Sequence, residues 1–217
     1  RVSDDPIKEW EKHNKYLKEK CNKLNEYDFK SLHFTRKNGT DLVVELQENQ
    51  QFAAGSETSS QNITYNPNMP SEECFGMPSK YGVNGIVYSS KPLSYGGNLI
   101  NDFSLTFKDG KVVDFTAKEG YDTLKQLLDS DEGAKHLGEV ALVPFDSPIS
   151  NSNIIFYNTL FDENAACHFA FGRAYPTCIV NGENSAVGNG MLPNSCEHIF
   201  TSGADLITGG NHSLKRR

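Results

Sequence analysis

The sequence has no long hydrophobic run and no excess of positive charge. Its longest unbroken apolar stretches, such as residues 140–143, are far shorter than the roughly 20 residues that a membrane-spanning helix needs. Lys and Arg number 21 against 28 Asp and Glu, which gives a formal net charge of −7. A surface that binds nucleic acid or an anionic membrane needs a cationic footprint. We therefore expect no nucleic acid and no membrane among its partners.

The cysteines are few and are not arranged in pairs. The five cysteines form no Cys-x-x-Cys pair, and an odd number suits a disulfide framework poorly. A reducing, cytoplasmic compartment is therefore expected. The sequence has neither an initiator methionine nor a signal peptide, and we interpret it as an internal piece of a longer protein. With 217 residues, of which 37% are hydrophobic, it is long enough to bury a sizeable core.

Local patterns predict one long surface helix and two β-hairpins. Asp5 followed by Pro6 is typical of a helix start, and apolar residues then recur on one face as far as residue 26. Asn38-Gly39 and Asp109-Gly110 each separate two alternating segments and supply the positive φ angles of tight hairpin turns. Hairpins over residues 31–46 and 103–117 predict an α+β fold with a mixed, antiparallel-rich sheet and flanking helices.

The remaining segments are predicted from turn and capping residues. Residues 53–102 are rich in Gly, Ser, Asn and Pro, so we expect a largely irregular stretch with short strands such as 85–88. A short helix follows around Leu124, and a strand covers residues 139–143. The last predicted helix runs over residues 162–171, with Asp162 as its cap and Gly172 closing it. This helix and the first one are expected to pack against the sheet.

Candidate metal ligands lie at three separated places, which are Glu72-Glu73, Glu139 and His168. A mixture of carboxylate and imidazole suits a divalent ion such as zinc, cobalt or manganese. The spacing by itself leaves the simpler alternative open, in which Glu139 is a solvated strand end and His168 a hydrogen-bonded core histidine. Cys167 beside His168 suggests a thiol protease, but adjacent residues of a helix diverge by about 100°, which disfavours that interpretation.

Seven sequence blocks together point to a known family. They occur in the order 66–73, 91–97, 103–110, 137–144, 146–150, 156–165, and His168 followed by Gly172-Arg173-Ala174-Tyr175-Pro176. In this order they resemble the C-terminal half of the thermophilic aminopeptidase family, the aminopeptidase T and aminopeptidase S metallopeptidases. The resemblance runs from about residue 1 to residue 179. It implies the C-terminal catalytic domain of a two-domain metallopeptidase over residues 1–180, with 181–217 as a divergent, shortened tail of the same domain.

The resemblance also implies an activity and a set of site residues. It implies a cytoplasmic, dimeric exopeptidase that hydrolyses the N-terminal peptide bond of peptides by means of two divalent ions, zinc or cobalt. Tyr175 would donate a hydrogen bond to the developing oxyanion. The metal ligands that the resemblance implies are Glu73, Glu139, His168 and His198.

The tail departs from the family pattern at one position. Family members have a His-x-Asp pair there, whereas this sequence has His198-Ile199-Phe200. Phenylalanine offers no lone pair to a metal, so we expect the second ion to be weakly held or absent. This departure leaves a second function open, namely a degenerate, non-catalytic fragment with a structural or peptide-binding role.

Overall fold

One long helix and a series of antiparallel strands make up most of the described chain. A computed structural model describes residues 4–174, 179–181, 196 and 206–208, and the chain divides into two compact units, Arg1–Ala174 and Tyr175–Arg217. The helices are α1 (Pro6–Tyr27), α2 (Tyr121–Leu128), α3 (Pro148–Ser152) and α4 (Thr159–Asp162), with 3₁₀ helices at Gly133–Lys135 and Glu163–Ala165. The strands of the first unit are β1 (Ser31–Thr35), β2 (Asp41–Leu46), β3 (Glu57–Thr58), β4 (Thr64–Tyr65), β5 (Cys74–Gly76), β6 (Pro78–Tyr88), β7 (Leu93–Tyr95), β8 (Asn98–Lys108), β9 (Lys111–Glu119), β10 (Leu137–Leu142) and β11 (His168–Phe171). In the second unit, β12 (Ile179–Asn181) and β13 (Leu206–Thr208) pair in parallel.

Helix α1 begins and buries one face as its sequence predicts. The Asp5 side chain accepts a hydrogen bond from the Lys8 N–H at 3.1 Å, and a proline occupies the first turn. The buried face of the helix consists of His13, Leu17 and Cys21. Leu17 and Cys21 of the predicted apolar stripe are buried, and Trp10 and Leu24 are half-buried, whereas Ile7 at its start is 74% exposed.

Both predicted hairpins are confirmed, and they belong to one large sheet. Its strands follow the order β1-β2-β6-β8-β7, and β9 pairs with β8. In the second hairpin Asp109 and Gly110 have φ angles of 49° and 79°, as a two-residue turn requires. In the first hairpin only Gly39 of the Asn38-Gly39 pair has a positive φ. The turn there is longer than two residues, and a hydrogen bond from the Arg36 N–H to the Thr40 oxygen spans it.

The prediction of a largely irregular stretch over residues 53–102 is wrong in its centre. Strand β6 is 11 residues long and lies between β2 and β8 in the large sheet. The glycines of β6 suggested loops, but they allow the neighbouring strand to approach closely. A Cβ on Gly85 would lie 2.1 Å from the carbonyl oxygen of Asp41 on β2. Pairing with two neighbouring strands outweighs the low strand propensity of the segment.

A second sheet of three antiparallel strands has the order β11-β10-β5. Its central strand, β10, is buried, and Val140 and Ala141 are fully inaccessible to solvent. Residues of this sheet belong to the same apolar core as those of the large sheet and α2. Together with the first helix, these two sheets confirm the α+β class.

The predicted helix over residues 162–171 is wrong, and His168 lies on a strand. The Asp162 carboxylate accepts hydrogen bonds from the N–H groups of Phe156 and Asn158, which precede it, and caps no helix that follows. The chain becomes extended at Ala166 and pairs with β10 through β11. Strand pairing here places Phe169 and Phe171 against the core, and that burial overrides the local capping signal.

Two expectations from composition can be compared with the structure. Cys21, Cys74, Cys167 and Cys196 are free thiols, in agreement with the absence of a disulfide pattern. Within the described ranges, no helix combines the length and the apolar character that crossing a membrane requires.

Gly138 is predicted to be intolerant of a side chain. A Cβ at this position would lie 2.8 Å from the Gly172 oxygen and 2.8 Å from the Arg173 carbonyl atoms. Because both neighbours are backbone, Gly138→Ala should lower the free energy of unfolding by about 1–3 kcal/mol, as measured by urea denaturation. Gly133→Ala is the control, since its Cβ would meet only the Asp131 carboxylate at 3.2 Å. Equal stability of the two variants would contradict the prediction.

Candidate metal centre

Three of the residues singled out from the sequence meet on one face of the small sheet. Glu73, Glu139 and His168 each offer one ligand atom, and these atoms all lie within 4.8 Å of one another. Glu73 immediately precedes β5, Glu139 belongs to the central strand β10, and His168 opens β11. The cluster therefore joins segments that are far apart in the sequence.

Sheet register explains why these side chains meet. His168 pairs with Ala141 across β10 and β11, and Glu139 lies two residues before Ala141 on the same face. Phe75 pairs with Ala141 from the other side, and Glu73 lies two residues before Phe75. Ala141 therefore lies between the two outer strands, and its methyl group leaves space above the sheet for longer side chains.

The orientation of His168 leaves one ring nitrogen available to a ligand. Its Nδ1–H donates a hydrogen bond to the Ala166 oxygen at 3.1 Å, since a carbonyl can only accept. In the neutral ring, Nε2 therefore holds a lone pair rather than a proton. A backbone partner of this kind is typical of metal-binding histidines, because it sets both tautomer and ring angle.

Two buried atoms of the cluster face each other at ion-pair distance. His168 Nε2 lies 2.8 Å from Glu73 Oε2, and when the ring is neutral neither atom has a hydrogen-bond partner among the described residues. Leaving buried polar atoms unpaired is costly. Two ligands at about 2.0–2.2 Å from one tetrahedral ion lie roughly 3.3 Å apart, so a small separation of the two side chains would admit a cation, and a donor set of carboxylates and imidazole suits a divalent ion.

Glu72 and Glu73 face different parts of the protein. Glu72 Oε2 lies 3.5 Å from Nε2 of His13 on α1, and the same nitrogen donates to the Ser71 oxygen at 2.7 Å. Both Glu72 and Glu73 are 7% exposed, so burial alone does not distinguish them. The contact partners do, because only Glu73 reaches His168.

The charges of the site favour a bound cation. Burial raises the pKa of Glu139, and the negative charge of Glu73 raises it further against the opposing effect of His168. Burial lowers the pKa of His168, but contact with Glu73 and its charge outweigh burial, and the pKa is raised overall. Both shifts have one physical cause, which is that negative charge accumulates in a poorly solvated place. A cation relieves that accumulation.

Glu163 is a further acidic residue whose charge acts on this site, and no sequence pattern predicted it. It is half-buried at the start of the 3₁₀ helix Glu163–Ala165, and its charge raises the pKa values of both Glu139 and His168. Burial raises the pKa of Glu163 itself. The signal in the sequence was the polar run Asp162-Glu163-Asn164, which instead predicted the start of a helix.

Three further residues singled out from the sequence are not described by the structure, and a fourth, Cys167, is described but has a different partner. Tyr175 and His198 fall outside the described residues, as does Phe200. Cys167 does not form a thiol–imidazole pair with His168, because adjacent residues of an extended chain point to opposite sides. Its sulfur instead contacts the backbone of Val143, at 3.4 Å from the nitrogen and 3.6 Å from the oxygen.

Comparison with known proteins establishes the family. The family profile described as "Thermophilic metalloprotease (M29)" matches residues 1–195. The chain therefore belongs to this metalloprotease family, as the resemblance predicted. A solved structure of wild-type AmpT from Thermus thermophilus matches 78% of this chain with a TM-score of 0.75 and 47% identity, which confirms the fold.

Several curated relatives are named aminopeptidases. Aminopeptidase 2 of Geobacillus stearothermophilus is 56% identical over 179 residues, which cover 82% of this chain and 43% of that protein. Aminopeptidase AmpS of Bacillus subtilis (strain 168) is 50% identical over a match that covers 84% of this chain and 45% of that protein. Aminopeptidase PepS of Streptococcus thermophilus is 46% identical over 98% of this chain and 52% of its own length. The chain thus spans about half the length of the curated relatives it matches.

The two adjacent glutamates provide a matched test of the centre. Substituting a residue that hydrogen-bonds to a metal ligand typically weakens metal binding 10–100-fold. Glu73→Gln should weaken Zn²⁺ binding by more than that, because a carboxylate of the cluster itself is lost. Glu72→Gln is buried to the same degree but should leave Zn²⁺ affinity unchanged. Isothermal titration of Zn²⁺ into the chelator-treated chain measures both. No loss in Glu73→Gln, or equal losses in the two variants, would contradict the role of Glu73 as a metal ligand.

Proposed function

We propose that this chain forms the metal-binding part of an aminopeptidase, which hydrolyses the N-terminal peptide bond of peptides. The observation that supports this most directly is the largely buried group of Glu73, Glu139 and His168, in which Glu73 Oε2 lies 2.8 Å from His168 Nε2, in a member of a metalloprotease family. The chemistry that a divalent ion supplies when bound is Lewis acidity, which polarises a peptide carbonyl and lowers the pKa of water.

The protein's own groups have distinct tasks in this proposal. His168 presents Nε2 in a fixed direction because Ala166 holds its other ring nitrogen. Glu73 supplies a buried carboxylate oxygen beside it. Glu139 is half-buried, and its carboxylate can both hold a cation and accept a proton from water during attack on the peptide carbonyl.

Residues outside the described part complete the proposal. The family resemblance supports Tyr175 as the donor to the oxyanion and His198 as a fourth ligand. A donor of this kind contributes roughly 2.7–4 kcal/mol in acyl-transfer sites. Zinc or cobalt is the proposed metal, with two ions per site as the family pattern and a weaker second ion because of Phe200. A cytoplasmic homodimer acting on peptides is the proposed setting.

The activity is testable on the chain as it stands. With Zn²⁺ or Co²⁺ supplied, we expect hydrolysis of a dipeptide amide that has a free N-terminus and none of its N-acetylated counterpart. His168→Ala should abolish this hydrolysis and lower bound metal while leaving the thermal unfolding curve of the metal-free chain largely intact, because the side chain of His168 is only partly buried.

A second histidine supplies the control for that variant. His33 also pairs with a carboxylate, at 2.7 Å from Asp41 Oδ1, but it lies on the exposed face of the β1–β2 hairpin. His33→Ala should therefore keep both metal content and hydrolysis. Full metal content and turnover in His168→Ala would contradict the proposal and favour a core role for that histidine. Metal binding without any hydrolysis would favour the non-catalytic, peptide-binding alternative.

A further inference from the structure

The side chain of Asn164 connects segments that belong to the two sides of the candidate metal centre. Asn164 is 1% exposed and lies in the 3₁₀ helix Glu163–Ala165. Its amide oxygen accepts a hydrogen bond from the Glu72 N–H at 2.6 Å, across 92 residues of sequence. Its amide nitrogen donates to the Leu160 oxygen at 2.8 Å and to the Pro70 oxygen at 3.4 Å.

These partners use the hydrogen-bonding capacity of the amide almost completely. An asparagine has two N–H donors and one carbonyl acceptor, and here both kinds of group are engaged. The partners also determine which terminal atom of the side chain is oxygen and which is nitrogen, because the peptide N–H needs an acceptor and the two carbonyl oxygens need donors. Ser147, itself 1% exposed, donates to the backbone oxygen of Asn164 at 3.2 Å. A third segment is thereby tied to the same residue.

Glu73 lies between two fixed points of the backbone. On its N-terminal side, Asn164 holds Pro70 and Glu72. On its C-terminal side, the sheet register begins at Cys74, which pairs with Leu142 of β10. The position from which the Glu73 side chain reaches His168 is therefore set by the asparagine on one side and by the sheet on the other.

The same asparagine is close in sequence to the group that orients His168. Ala166, two residues after Asn164, accepts the hydrogen bond from His168 Nδ1 at 3.1 Å. Asn164 thus belongs to the segment that positions the imidazole, and it also binds the segment that positions the carboxylate. We propose that Asn164 is a positioning residue, which sets the separation of Glu73 and His168 and thereby the affinity of the centre for its metal.

This inference rests on the proposed metal site but makes a separate prediction. Outer partners of metal ligands typically contribute 10–100-fold to metal affinity, so Asn164→Ala should weaken Zn²⁺ binding by about that factor. Isothermal titration of Zn²⁺ into the full 217-residue chain measures it. The visible absorption of bound Co²⁺ should also change, because a displaced ligand alters the coordination geometry.

Asn25 supplies a matched control. Its side-chain oxygen accepts from the Phe52 N–H at 2.7 Å, and its nitrogen donates to the Phe52 oxygen at 3.1 Å, so it too bridges distant backbone segments. Asn25→Ala should lower the melting temperature of the metal-free chain as Asn164→Ala does, but should leave Zn²⁺ affinity and the Co²⁺ spectrum unchanged. Equal affinities and equal Co²⁺ spectra in the wild-type chain and Asn164→Ala would overturn the inference while leaving the metal site in place. A wild-type chain that binds no Zn²⁺ would overturn both.

Hydrogen exchange on the unaltered chain tests the proposal if Asn164→Ala does not fold. Zn²⁺ should slow exchange of the Glu72 amide, because metal binding and the bond to Asn164 restrain the same segment. The Phe52 amide, which Asn25 holds in the same way, is the internal reference and should respond less. Equal slowing of the two amides, or none at Glu72, would overturn the proposal.

Discussion

The small sheet is organised around one contact that is unfavourable unless a cation is present. A carboxylate oxygen of Glu73 and the Nε2 atom of His168 meet at 2.8 Å in a buried place, and neither is otherwise hydrogen-bonded within the described residues. Since Nδ1 of the ring donates to a backbone oxygen, the neutral imidazole has only a lone pair to offer in return. Either a proton or a metal ion must compensate the negative charge, and the nearby carboxylates of Glu139 and Glu163 increase that requirement.

Paired strands hold this contact in place, because His168 lies on β11 and Glu73 immediately precedes β5. Strand β10 is buried and pairs on both sides, so its neighbours β5 and β11 are held at a fixed spacing. Close backbone packing at Gly138 restrains the start of that strand, immediately before Glu139. Sites supported by strands are more rigid than those on mobile loops, and rigidity is what metal affinity requires.

The division between the two adjacent glutamates illustrates how the fold separates stability from chemistry. Glu72 turns toward His13 on α1 and thereby joins the long helix to the segment that precedes β5. Glu73 turns toward His168 and joins the candidate centre. Identical side chains with identical burial thus have different partners, because successive residues of an extended chain face opposite ways. The pairing of Glu73 with His168 is consistent with membership of the M29 metalloprotease family. The pairing of Glu72 with His13 contributes to the packing of α1.

The sequence by itself determined those helices and hairpins that are specified by a cap or a turn of a few consecutive residues. The Asp5-Pro6 start predicted α1, and the Asp109-Gly110 turn predicted the β8–β9 hairpin, because capping and turn geometry involve only neighbouring groups. The family resemblance, rather than spacing, selected Glu73, Glu139 and His168 from many acidic residues and histidines. Tertiary structure alone decided that residues 168–171 form a strand, since the pairing partner lies about thirty residues earlier in the chain. It also brought Asn164 to Pro70 and Glu72, and it placed Glu163 where its charge interacts with that of Glu73, because no local pattern records a hydrogen bond made across 92 residues.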